Sequence, residues 1–151
     1  MNNDATSDID IDLTNFMGSE PCLAMRARRL SRVLTRAYED ALRDLGLTVP
    51  QFTLLTAIAA NGPMTAGDIC RRLDLEKSTL SRTLGKMMER DWVEEQQPSG
   101  SPREIHLTPF GRRTLREAVP AWQAVQSKAK ETFGQQSLES LDRMIADAHE
   151  I

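Results

Sequence analysis

The stretch Met64–Gly111, MTAGDICRRLDLEKSTLSRTLGKMMERDWVEEQQPSGSPREIHLTPFG, decides the fold. Thr65 can accept a hydrogen bond from the backbone N–H near Asp68 and open a short helix, with the Asp68 carboxylate at its positive end. Ala66, Ile69, Cys70 and Leu73 follow at helical spacing as one apolar stripe. Asp74 is the expected cap of a second helix. There Leu80, Leu84, Met87 and Met88 fall on one side, and Lys77, Ser78, Thr79, Arg82 and Lys86 largely on the other. Trp92-Val93-Glu94 begins a strand that Pro98-Ser99-Gly100-Ser101-Pro102 cannot continue. Glu104-Ile105-His106-Leu107 resumes the alternation with Ile105 and Leu107 inward and His106 outward. Helix, turn, helix and a two-stranded wing tipped near Arg103 is therefore the expected order. A helix that packs one face on a core and offers small and basic residues on the other is built to enter a DNA groove.

Outward from this segment the chain reads as helical. Leu23 to Leu45 carries Leu23, Ala27, Leu30, Leu34, Ala37, Tyr38, Ala41, Leu42 and Leu45 as a stripe; Arg26, Arg28, Arg29, Arg32 and Arg36 crowd its first half, and Gly46 ends it. Thr48 with Gln51 resembles a capping box, and Pro50 is tolerated in a first turn. Phe52, Leu54, Leu55, Ile58 and Ala59 then make a helix apolar enough to be central. Thr108-Pro109 opens a longer helix to about Glu131, apolar at Leu115, Ala118, Val119, Trp122, Val125 and Ala129, with a kink expected at Pro120. A last helix near Leu138 to His149 aligns Leu138, Leu141, Ile145 and Ala148. The expected fold class is mainly α, a winged helix-turn-helix with a two-stranded β wing flanked by N- and C-terminal helices. A winged-helix core over 48–111 and flanking helices over 21–47 and 112–151 would form a single domain, 21–151. Apolar stripes on helices with no third layer must meet a second subunit or close on one another in an intramolecular bundle.

Composition bounds the alternatives. A chain of 151 residues, 40% hydrophobic and 27% charged, is one ordinary globular domain that needs no structural staples. No apolar run could span a membrane and no secretory signal opens the chain, so the cytoplasm is expected. Cys22, Cys70, His106 and His149 match no metal-ligand spacing, so no metal and no cofactor are expected. No glycine-rich phosphate loop, nucleophile elbow or CxxC pair occurs, and no catalytic residue is assigned. The net charge of −3 looks wrong for a DNA binder until its distribution is read. Asp4, Asp8, Asp10, Asp12 and Glu20 all lie in 1–20, leaving 19 basic against 17 acidic residues in the remainder. That tail is expected to be disordered or loosely docked, with Ile9, Ile11 and Leu13 as an alternative strand.

The order of elements, the segment GLTVPQFTLLTAI from Gly46 to Ile58, the STLSRTL core of the second helix and the closing HLTPFG resemble the MarR family of winged-helix regulators. The resemblance covers roughly Cys22 to His149. It implies a homodimer that binds a pseudo-palindromic operator in double-stranded DNA as a transcriptional regulator, commonly a repressor, and leaves it when a small molecule or an oxidant arrives. The first helix and the last two would interlock with those of the second subunit. Within STLSRTL, Thr79 and Arg82 match the groove-contacting positions. Arg82 is the first choice for base readout, because it can present two parallel donors to guanine O6 and N7. Ser78, Thr79 and Ser81 permit close approach, while Lys77 and Lys86 supply charge.

Arg103 matches the wing arginine that the family puts into the minor groove, but the Asp of the usual Asp-x-Arg arrangement is missing, so Arg103 could equally contact phosphate or move freely. By region, the resemblance points to Met25, Arg26, Arg29, Phe52 and Trp122 for an effector pocket. Cys22 precedes the first helix where the peroxide-sensing branch carries its reactive cysteine, although it is displaced by about two residues. Tyr38 matches one supporting tyrosine of that branch and Val49 replaces the other. Cys70 reads as a buried small apolar residue. A winged helix used as a protein-interaction adaptor is the rival from another class; the acidic total and short wing fit it, and the basic reading face does not.

Overall fold

The computed structural model describes residues 22–150, apart from the His149 side chain. The acidic tail expected over 1–20 lies outside these residues. Two compact units divide between Arg36 and Ala37. Of the first, the described part is the opening of helix α1 (Leu23–Leu42), exposed as far as Val33.

In the second unit the end of α1 buries Leu42, and a 3-10 turn, Arg43–Leu45, closes at Gly46 with φ +64°, a left-handed conformation that costs glycine nothing. Helix α2 (Val49–Asn61) starts with the expected capping box, in which the Thr48 N–H donates to Gln51 Oε1 at 2.9 Å. Its Phe52, Leu54, Leu55, Ala57 and Ile58 are all buried, which makes it the central helix. A short strand β1 (Met64–Thr65) leads into α3 (Ala66–Leu73) and α4 (Lys77–Glu89). Strands β2 (Val93–Gln96) and β3 (Glu104–Leu107) form the wing, followed by α5 (Pro109–Phe133), α6 (Gln135–Asp147) and a 3-10 turn, Ala148–Glu150.

The sheet is antiparallel in the order β1-β3-β2, with Met64 opposite Ile105 and Val93 opposite Leu107. The wing pair is as expected; β1 is an addition, since two residues are too few to show an alternating pattern. One core joins Leu42, Phe52, Leu54, Leu55, Ile58, Ile69, Leu80, Leu84, Met87, Trp92, Ile105 and Leu107. It anchors α4 and the wing to the same apolar base.

One local reading differs from the structure. Asp74 does not cap α4. It ends α3 in the left-handed region at φ +51°, with its N–H bonded to the Cys70 carbonyl, and α4 begins after Glu76 with no side-chain cap. Asp tolerates that conformation better than most residues, and the extra turn brings Leu75 against the core. Helix α5 is continuous through Pro120 and ends two residues past the expected Glu131, although Pro120 denies the Arg116 carbonyl its usual donor.

Candidate nucleic-acid interface

The α3–turn–α4 unit is held from below by its apolar side chains. Thr65 accepts from the Asp68 N–H at 3.1 Å, and its hydroxyl donates to the Asp68 carboxylate at 2.6 Å. The Thr65 hydroxyl, reinforced by Arg71, lowers the Asp68 pKa from the ordinary carboxylate value. Because the folded-state pKa is depressed, this stabilisation is present above the ordinary value and is lost as pH falls through the lowered one. On α4, Leu80, Leu84 and Met87 are buried. Met88, expected on that side, is 37% exposed, because one residue past Met87 turns it by about 100°.

Lys77, Ser78, Thr79, Ser81, Arg82 and Lys86 are all exposed on α4, so every residue proposed for the reading helix is accessible. Arg82 Nε donates to the Ser78 carbonyl at 3.3 Å, a bond that does not use the two Nη groups a guanine edge would take. The Thr83 hydroxyl turns back to the Thr79 carbonyl at 2.9 Å. Gly85 lies inside this helix at an exposed position, and a Cβ there would meet nothing within 4 Å. Gly85→Ala is expected to raise unfolding stability by about 0.5–1 kcal/mol, the helix-interior penalty of glycine. A urea titration checks this.

The wing carries an ion pair that its sequence did not announce. Arg103 Nη1 lies 3.1 Å from Glu95 Oε2, and both side chains are exposed. Glu95 pairs with Ile105 across the ladder, so Arg103, two residues before Ile105, is its diagonal neighbour on the same face. Knowing the hairpin register would have found this pair; the missing Asp alone could not. His106 faces away from buried Ile105 and Leu107, as expected, but is half-buried rather than fully exposed. It sits opposite Glu94, with Nε2 3.4 Å from Glu104 Oε2 but making no hydrogen bond.

The residues proposed for sensing are distributed differently. Met25, Arg26 and Arg29 lie on the exposed opening of α1. Phe52 is buried and stacks on half-buried Trp122 at 5.9 Å between ring centroids, and Tyr38 stacks on Trp122 at 6.4 Å. The Tyr38 hydroxyl donates to Gln126, and burial raises its pKa. Cys22 is an exposed thiol whose carbonyl accepts from the Met25 and Arg26 N–H groups at the start of α1. Cys70, expected to be buried, is only partly so, and lines a crevice of about 360 Å³ with Leu80, Leu84, Met88, Glu95 and Ile105. Among the described residues no group of three or more His, Cys, Asp or Glu side chains could hold a metal ion. No described helix is long and apolar enough to cross a membrane.

Comparison with known proteins agrees with this geometry. The sequence profile of the MarR family matches residues 45–103, from the end of the first helical segment to the wing arginine. The M. tuberculosis transcriptional regulator MosR is 32% identical, over 85% of this chain and 93% of that one, and superposes with a TM-score of 0.73. The chain belongs to the MarR family. MosR has also been solved in complex with DNA; that structure is 31% identical and covers 86% of this chain and 99% of its own, with a TM-score of 0.75. The helix-turn-helix-type transcriptional regulator YsmB of Bacillus subtilis is 23% identical over 120 residues, 78% of this chain and 82% of that protein. The repressor CouR, solved bound to p-coumaroyl-CoA, shares the fold at 21% identity, with a TM-score of 0.75 over 85% of this chain and 91% of that one. The mainly helical winged-helix architecture is thus that of a MarR-family transcriptional regulator, with α4 as the helix that corresponds to STLSRTL.

Proposed function

We propose that this chain binds double-stranded DNA sequence-specifically as a homodimer, represses transcription from a pseudo-palindromic operator, and is released by a small-molecule effector. One observation carries the reading. The exposed face of α4 gathers Lys77, Ser78, Thr79, Ser81, Arg82 and Lys86 on a helix braced by buried Leu80, Leu84 and Met87. Small hydroxyl residues let the helix approach base edges while the cations meet phosphates. The DNA complex of MosR supports the same use of the fold.

Dimerisation is supported by apolar side chains that are exposed among the described residues. Leu23, Met25, Leu30 and Val33 on α1 are exposed, as are Phe133 on α5 and Met144 and Ile145 on α6. Such surfaces call for a partner, and a two-fold axis would set two α4 helices about 34 Å apart, one turn of DNA. A gel-shift with DNA from the protein's own promoter, in excess unrelated DNA, tests the reading. The retained complex should carry two chains of 16.9 kDa by sedimentation. Complete competition by unrelated DNA would favour the adaptor reading.

An exposed thiol at the start of α1 sustains a second reading, oxidation at Cys22. There the thiolate would attack a hydroperoxide, giving sulfenic acid and an alcohol, and a second thiol would condense with it and release water. The effector reading predicts that Cys22→Ser binds and releases DNA as wild type does, and that peroxide has little effect on either protein. Peroxide release of wild type alone, reversed by thiol, would establish the redox reading instead. Phe52 and Trp122 remain proposed effector residues as an apolar stack within the second unit; Met25, Arg26 and Arg29 on the opening of α1 remain proposed separately, the arginines for an anionic group.

A further inference from the structure

We propose that Glu95 is a positioning residue for Arg103, orienting the wing guanidinium for entry into the minor groove. This inference rests on the DNA-binding reading above. Arg103 follows a loop, Gln97–Pro102, whose prolines and glycine hold no strand pairing, so the backbone alone gives its long side chain little direction. Glu95 belongs to β2, which is paired along its whole length with β3, and its Oε2 takes one guanidinium donor, Nη1, at 3.1 Å. The remaining donors are left for groove acceptors. A side chain restrained before binding gives up less freedom on binding, and a fixed attitude is what insertion into a narrow groove requires.

The sign of the charge makes the inference testable. A carboxylate beside DNA repels phosphate, so if Glu95 had no role through Arg103, removing it would strengthen binding to every sequence alike. Positioning predicts the reverse for the operator relative to other DNA. The pair is exposed, 66% at Arg103 and 39% at Glu95, so its effect is bounded by what solvent-screened ion pairs contribute.

The experiment is a set of salt-matched titrations of the full chain against a promoter duplex with A·T-rich flanks and an unrelated duplex of equal length. Glu95→Gln is expected to lower the ratio of operator to unrelated affinity by about two- to fivefold, the range of an exposed pair. Glu95→Asp should retain part of that ratio, and thermal melts of both variants should match wild type. In an Arg103→Ala background, Glu95→Gln should cost nothing further. Equal strengthening of both duplexes by Glu95→Gln, or the same loss without Arg103, would overturn the inference and leave the wing reading standing. If Arg103→Ala alone altered neither affinity nor the salt slope, the wing would not touch DNA, and the inference would fall with that reading.

Discussion

Gly111→Ala is expected to destabilise the fold by about 3 kcal/mol or more, at or beyond the upper end for overpacking a core, and to lower the melting temperature by roughly 10 °C. Gly111 is buried in the first turn of α5, where an added Cβ would lie 1.9 Å from the Trp92 carbonyl oxygen and 2.8 Å from its carbon. Both are backbone atoms, so no side-chain rotation can relieve the clash. The neighbouring bonds hold this approach close. The Thr108 N–H donates to the Trp92 carbonyl at 3.2 Å, the Thr108 hydroxyl to the Asp91 carbonyl at 2.5 Å, and the Gly111 N–H to the Thr108 hydroxyl at 2.9 Å. To admit a methyl group, α5 must lift from Trp92 and strain the two bonds that Thr108 makes to the Asp91 and Trp92 carbonyls. Urea unfolding monitored at Trp92 checks it, and a melt within about 2 °C of wild type would contradict so close an approach.

Arg82→Ala carries the largest expected effect on function. The side chain is exposed on α4, and within the described residues its hydrogen bond is to the Ser78 carbonyl one turn back. Folding and dimerisation should therefore be unchanged. Affinity for the cognate site should fall by about 1–3 kcal/mol, the worth of a bidentate contact to guanine, and binding to unrelated DNA should fall much less. Lys cannot reproduce the parallel pair of donors, so Arg82→Lys should recover non-specific binding but not the full operator affinity. Unaltered operator affinity in Arg82→Ala at matched salt would mean that α4 is not read in this orientation.

The winged helix was legible because its signals are local. Thr65 and Asp68, the alternating stripe of α4 and the proline-bounded wing each depend on residues a few positions apart, and all recur in the structure. What escaped depended on pairing at a distance or on a balance between two local options. Glu95 and Arg103 meet only when the hairpin register is known, and β1 exists only because Met64 and Thr65 find β3. Asp74 is equally suited to cap a helix or to end one in the left-handed region; the need to bring Leu75 to the core selected the second. His106 alternated correctly, but its ring is half-buried beside Glu104, which alternation along one strand does not reveal. Of the sensing residues, Phe52 and Trp122 were named by region alone; their stacking depends on how α2 and α5 pack, which no local pattern displays.

The central claim is that the exposed face of α4 reads DNA bases from a two-fold dimer. Hydroxyl-radical footprinting of the protein's own promoter, with wild type and Arg82→Ala side by side, tests it most directly. Wild type should protect two symmetric half-sites centred about one helical turn, roughly 34 Å, apart, and Arg82→Ala should lose that protection at the same concentration and salt. Uniform protection along the fragment, identical for both proteins, would contradict the claim.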